Sequence, residues 1–211
     1  MKQSIIALII VTAAILLGWF FLFRDDTSTT SEAEAGTGTS TSTNVDDYLS
    51  TIDTTGFSST QLAVLKILRE EYAKHPTEFD KTVLAYTEGF EESWCADFIS
   101  WVFNEAGSPF IHQDTGYWRI PGVETLQEYY EQYNAYYDIG EYTPQFGDVA
   151  FYFGETPDGS STEHVAIVLA VEGNNVVTIG GNETDAGIIQ IRADELKDGV
   201  KGLSGFGASD L

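Results

Sequence analysis

The sequence predicts an α+β fold: N-terminal helices packed on an antiparallel sheet, preceded by one transmembrane helix and a flexible linker. Three observations predict it. An unbroken apolar run opens the chain and is followed by a stretch that lacks large apolar residues. Two segments with helical spacing come next. After Pro144 the texture changes to short β-rich runs separated by turn residues, and helices first with consecutive strands second is an α+β order.

Ile5 to Phe23 is a run of 19 residues without a charge. As a helix it spans roughly 28 Å at about 1.5 Å per residue, close to the ~30 Å of a bilayer core. Lys2 precedes it, and Arg24, Asp25 and Asp26 follow, so the positive-inside bias places the short N-terminus in the cytoplasm. The run exceeds the roughly 7–15-residue core of a signal peptide. It ends Trp19-Phe20-Phe21-Leu22-Phe23, without the small residues a signal peptidase needs. Residues 1–26 are therefore read as an uncleaved membrane anchor, in preference to a cleaved signal. Residues 27–57 are read as a Thr/Ser-rich linker. Its first part, Thr27 to Asn44, has no Ile, Leu, Val or aromatic residue to offset the entropy of ordering.

The folded domain is assigned to 58–211. Gln61 to Ala73 has helical spacing, with Leu62, Leu65, Leu68 and Tyr72 on one face and Ser58, Ser59 and Thr60 as possible N-caps. His75-Pro76 ends it. A second helix is expected from about Trp94 to Glu105, with Phe98, Ile99, Val102 and Phe103 inward; Gly107 and Pro109 close it. Thr115 to Gly140 is aromatic and partly helical. Strands are expected over Asp148–Phe153, His164–Val171, Val176–Ile179 and Ile188–Arg192. The second of these is nearly all apolar, as for a strand buried on both faces. Gly202 to Leu211 is Gly/Ser-rich and is expected to be loose.

Composition narrows the function. Acidic residues number 33 against 10 basic, a formal net charge of −23. Such a chain repels phosphate backbones, which excludes nucleic acid as a partner. One cysteine cannot form an internal disulfide or a multi-cysteine zinc site, and three histidines leave little for a metal centre.

That cysteine, Cys95, stands where the second helix begins. A thiol there meets the positive end of the helix dipole and unpaired N–H groups, which favour the nucleophilic thiolate and can hold an oxyanion. It is equally a small buried hydrophobe on position alone. His164 opens the most buried strand, a rigid place for an imidazole that takes the thiol proton and returns it to a leaving amine; a hydrogen-bonded histidine at a strand edge is the plain alternative. Asn182, after Gly180-Gly181, can orient the imidazole, or is ordinary turn chemistry. The order of the three, on helix start, strand start and neighbouring strand end, is more specific than any one. Glu163 either raises the pKa of the adjacent His164 through its charge or is a rim carboxylate. Trp94, Tyr117 and Trp118 line a substrate groove or belong to an aromatic core. His75 and His112 are read as solvated or structural, and Asp148 as fixing a turn.

The run Glu92-Ser93-Trp94-Cys95-Ala96-Asp97-Phe98-Ile99-Ser100-Trp101-Val102, then Ala106-Gly107, resembles the nucleophile helix of CHAP domains, the cysteine- and histidine-dependent amidohydrolases/peptidases. Pro144-Gln145-Phe146-Gly147-Asp148-Val149-Ala150-Phe151-Tyr152 resembles their first strand, His164-Val165-Ala166-Ile167-Val168 their histidine strand, and Ile179-Gly180-Gly181-Asn182 the strand end that supplies a third polar residue. The likeness covers about Leu62 to Arg192. It implies a papain-like fold and a cysteine hydrolase of amide bonds, most often in peptidoglycan. It implies Cys95 as nucleophile, His164 as general base then acid, and Asn182 as orienting residue, with no metal or organic cofactor. Many members carry an acidic residue two positions before the Asn, where this chain has Gly180; Glu183 follows instead. Some bind calcium through an Asp-rich loop ahead of the cysteine, where this chain has Glu88, Glu91 and Glu92 in different spacing.

The expectation is thus a membrane-anchored, extracytoplasmic cysteine hydrolase that cleaves peptidoglycan as an endopeptidase or N-acetylmuramoyl-L-alanine amidase. Its partners are peptidoglycan and, through the N-terminal helix, the membrane. The alternative is a non-catalytic CHAP-like binding or scaffold domain for murein or a cell-envelope partner, which Gly180 supports.

Overall fold

The computed structural model describes residues 48–155, 161–184, 186–197 and 199–209. The expected anchor over 5–23 and the tether Thr27–Asn44 lie outside the described residues. Among the described residues no helix is long and apolar enough to cross a membrane.

Helices come first. They are α1 (Tyr48–Thr51), α2 (Ser59–Tyr72), α3 (Lys81–Tyr86), α4 (Cys95–Glu105) and α5 (Val123–Gln132). Ser58 starts α2 with a reciprocal cap: its hydroxyl accepts from the Gln61 N–H, and the Gln61 side chain accepts from the Ser58 N–H. The buried face of α2 holds Val64, Leu65 and Leu68, while Leu62, expected there, is 46% exposed. Asp80 caps α3, accepting from the N–H groups of Thr82 and Val83. The short α3 was not expected; it contributes Val83 and Tyr86 to the core.

The strands are β1 (Tyr136–Asp138), β2 (Val149–Glu155), β3 (Ser161–Glu172), β4 (Asn175–Glu183), β5 (Ile188–Glu195) and β6 (Leu203–Gly207). They form one sheet in the order β1-β6-β2-β3-β4-β5, with every pairing antiparallel. Along β3 the alternation sorts side chains between two cores. Val165, Ile167 and Leu169 pack with the helices, and Ala166 and Val168 with Tyr152, Val176, Leu203 and Phe206. Burial on both faces explains why β3 reads as a continuous apolar run.

Three expectations need correction. First, Gly202–Leu211 is not loose: β6 lies inside the sheet, between β1 and β2. Its glycines are what admit it. A Cβ on Gly207 would lie 2.5 Å from the Tyr130 ring, and one on Gly205 would collide with the Tyr136 hydroxyl. Second, the segment read as linker to residue 57 packs on the domain from Tyr48. Leu49 is buried, Arg69 donates to its carbonyl at 2.7 and 3.0 Å, and the Phe57 ring lies 4.6 Å from that of Phe146. Third, the strand expected over Val176–Ile179 runs on to Glu183 as β4, so that of the two readings of Asn182 the strand end holds and the turn does not.

Candidate active site

Cys95 is the first residue of α4, and the N-cap, Trp94, offers no side-chain hydrogen bond to the first turn. The N–H groups of that turn therefore keep their capacity to hold a ligand oxygen. The helix end is pressed against the end of β4 because Gly181 has no side chain: a Cβ there would lie 2.8 Å from Phe98 Cβ and collide with the Trp94 ring. Trp94 is fully buried, packed on Tyr86 and Phe98. It builds the helix seat and has no surface to offer a groove. Cys95 itself is 5% exposed.

His164 sits on β3 opposite Tyr152 of β2. Its Nε2 is 2.8 Å from Glu183 Oε1, and Cys95 lies near enough to favour the charged form of the ring. With Nε2 engaged by the carboxylate, Nδ1 is the nitrogen left for sulfur. Burial works against the imidazolium, but the bonds and charges of Cys95 and Glu183 outweigh it and push the His164 pKa up to about 9. Burial likewise opposes the charge on Glu183; His164 and Arg192 prevail and hold its carboxyl below the usual range. Glu163, beside His164 in sequence, is exposed, and the carboxylate that raises the imidazole is Glu183.

Glu183 reaches the ring through a β-bulge. Gly180 pairs with Gln190, but Glu183 pairs with Ile188, so β4 carries one residue more than β5 in this interval. Asn182 takes up the excess in the left-handed region, at φ 58°. The bulge resets the alternation, so Glu183 faces the side on which Gly180 lies. A Cβ on Gly180 would lie 2.6 Å from Glu183 Oε1 and 2.9 Å from His164 Nε2. The carboxylate missing from position 180 is thus supplied to the same space from three residues further on. The other Glu183 oxygen takes a hydrogen bond from Arg192 at 2.9 Å; Arg192 also bonds Asp194 at 3.0 Å, and Lys201 reaches Asp194 at 2.5 Å.

Residues 86–182 match the CHAP domain family. The match runs from the end of α3 through Cys95 and His164 to Asn182, one residue short of Glu183. CHAP domains are in general amidohydrolases or peptidases of the peptidoglycan-hydrolase type. No curated protein and no solved structure matches the chain.

Near Cys95, a strap of residues 112–120 grips the segment that leads into α4. Tyr117 donates to Glu88, and Arg119 pairs with Glu92 and, at 2.6 Å, with Asp97. Asp97 is fully buried two residues beyond Cys95. Burial and the charges of Glu92 and Glu88, only partly countered by Arg119, raise its pKa to about 6. Tyr117 is 45% exposed and Trp118 half-buried, so these two aromatics, unlike Trp94, have surface to offer a ligand. Arg119 and Glu183 are the charged side chains at this site to which the sequence reading gave no role. The signal for Glu183 was the vacancy at Gly180; nothing local marks Arg119. His75, in a left-handed turn, and His112, in the strap, stand apart from the site. Among the described residues no group of three or more His, Cys, Asp or Glu is placed to hold a metal ion.

Proposed function

We propose that the chain is a membrane-anchored, extracytoplasmic cysteine hydrolase that cleaves amide bonds of peptidoglycan, as an endopeptidase or N-acetylmuramoyl-L-alanine amidase. Cys95 is the nucleophile, His164 the acid–base and Glu183 the orienting group. One observation carries this reading: His164 stands between the only thiol of the chain and a carboxylate bonded to its far nitrogen.

The chemistry follows from the placement. The Cys95 sulfur attacks the amide carbonyl carbon and forms a C–S bond. N–H groups of the first turn of α4 take the charge on the carbonyl oxygen. The His164 imidazolium gives its proton to the leaving nitrogen as the C–N bond breaks. The neutral imidazole then draws a proton from water, which attacks the thioester and releases the acid and the thiol. Glu183 fixes the ring and balances the imidazolium at each stage, the role an orienting carboxylate plays in a triad. Asn182, assigned that role by the resemblance, shapes the bulge that delivers Glu183. Residues 5–23 are the anchor, and the tether holds the domain near the wall. The scaffold alternative rested on Gly180, and the carboxylate now found over that position removes its support.

Digestion of purified murein by the full chain tests this, with the new termini identified by mass spectrometry. New free amines are expected. Cys95→Ala should lower their release by roughly 10⁴-fold or more. Unchanged release by that variant would remove the hydrolase.

A further inference from the structure

A cavity of about 500 Å³ lies along α5, away from Cys95 and His164. Thr125, Glu128 and Gln132 share one face of the helix and line it; His112 and Asp114 of the strap line it too. Its volume is that of a small-molecule site. Tyr129 also lines a neighbouring hollow of about 280 Å³, with Phe110, Tyr130 and Tyr133. Tyr133 is 60% exposed, with its ring 4.9 Å from that of Tyr129.

The lining selects a ligand class. No Lys or Arg lines either hollow, so an anionic ligand finds no counter-charge. The polar side chains are a mixture of donors and acceptors: amides of Gln113 and Gln132, the hydroxyl of Thr125, carboxylates of Asp114 and Glu128, and an imidazole. The Asp114 N–H bonds His112 Nδ1 at 3.2 Å, which leaves Nε2 of His112 as a donor. An ammonium group uses acceptors only; hydroxyl and acetamido groups use both kinds. Aromatic faces beside such a set suit the C–H faces of pyranose rings.

We propose that this double hollow is a carbohydrate subsite for neutral, N-acetylated glycan. The proposal deepens the murein reading and rests on it for the natural ligand. The strap supplies the link between the two sites. Its Tyr117 and Arg119 hold the segment ahead of Cys95, while His112 and Asp114 wall the cavity. One polymer can thus lie along α5 by its sugars and present an amide to the thiol.

Chitotetraose titrated into the full chain by calorimetry is the test, with intact murein as the second ligand. Saturable binding of the tetrasaccharide is expected. The double variant Glu128→Ala/Gln132→Ala, both positions exposed, should weaken it at least tenfold, and Tyr133→Ala at least fivefold. Each should raise KM for murein in step, leave kcat nearly unchanged and keep the thermal midpoint. Absence of tetrasaccharide binding overturns the proposal. So does unchanged affinity in the variants, a loss that follows a fallen thermal midpoint, or displacement by oligolysine without any response to sugar. Tetrasaccharide binding that obeys these variants in a chain inert toward murein upholds the subsite and overturns the hydrolase instead.

Discussion

His164 sets the pH range in which this site can work. Its pKa of about 9 lies above the ordinary 6.5 of histidine, so the ring keeps its proton through neutral pH. The donor for the leaving amine is present below about pH 9 and lost above it. Murein hydrolysis should therefore fall on an alkaline limb near that value in a pH–rate profile. The same shift bears on stability. The folded chain binds this proton more tightly than the unfolded chain, so the stabilisation is complete below 6.5 and vanishes as the pH rises to about 9. Glu183 has the opposite sign: its carboxyl is held low, and its contribution is lost only as acid protonates it. Glu183→Gln keeps the shape and removes the charge. It should move the alkaline limb down by about one pH unit or more, since a unit is ~1.4 kcal/mol of lost interaction, and slow hydrolysis roughly 10²–10⁴-fold. Asn182→Ala should cost under about tenfold. The reverse order of the two variants would return the orienting role to Asn182. Arg192→Gln should not reproduce that downward shift: it removes a cation while Glu183 stays ionised near pH 9, so the alkaline limb should stay in place or move slightly up.

At the scale of elements, the site depends on one extra residue in β4. Gly180 is empty so that the carboxylate of Glu183 can lie above it. Gly180→Ala should leave the fold intact, because the obstruction is a side-chain tip, yet force Glu183 away from His164. The expected result is a loss of activity comparable to Glu183→Gln, with the melting midpoint lowered no further than in Glu183→Gln itself. Gly207→Ala makes the opposite demand, since its obstruction is the Tyr130 ring inside the core. It should destabilise the domain by about 1–3 kcal/mol, read from the denaturant midpoint. These glycines also explain what the sequence concealed. The helix that opens with Cys95 and the strand that carries His164 were legible, because Phe98, Ile99, Val102 and Phe103 carry a helical period and Val165 to Val171 an uninterrupted β-rich run. β6 was not, because glycines at positions 205 and 207 erase the apolar alternation while enabling the close packing that makes the strand. Helix α3 was hidden by its brevity. The identity of the third residue was hidden by register: Gly180 and Asn182 fall on one face of a regular strand, and only the left-handed turn at Asn182 exchanges it for Glu183.

For the whole molecule, the net charge of −23 must be reconciled with a wall substrate that commonly travels with anionic polymers. Charge of one sign on both partners slows their encounter, and affinity from long-range attraction is unavailable. The proposed tether would answer this by raising the local concentration of the domain near its substrate without any attractive contact. Removal of residues 1–26 should then release the chain from the membrane and sharply reduce its action on the wall of the cell that makes it, with kcat on purified murein unchanged. The repulsion itself is open to measurement. Mobile ions screen it over about 10 Å at 0.1 M salt and over about 30 Å at 0.01 M. Hydrolysis of walls that retain their anionic polymers should accordingly rise severalfold as salt increases across that range, while hydrolysis of murein stripped of them should change little. A rate that falls with salt on both substrates would mean that attraction, not repulsion, governs the encounter. In that case the acidic surface would be facing a cationic group on the substrate, and proximity alone would not explain how the domain finds it.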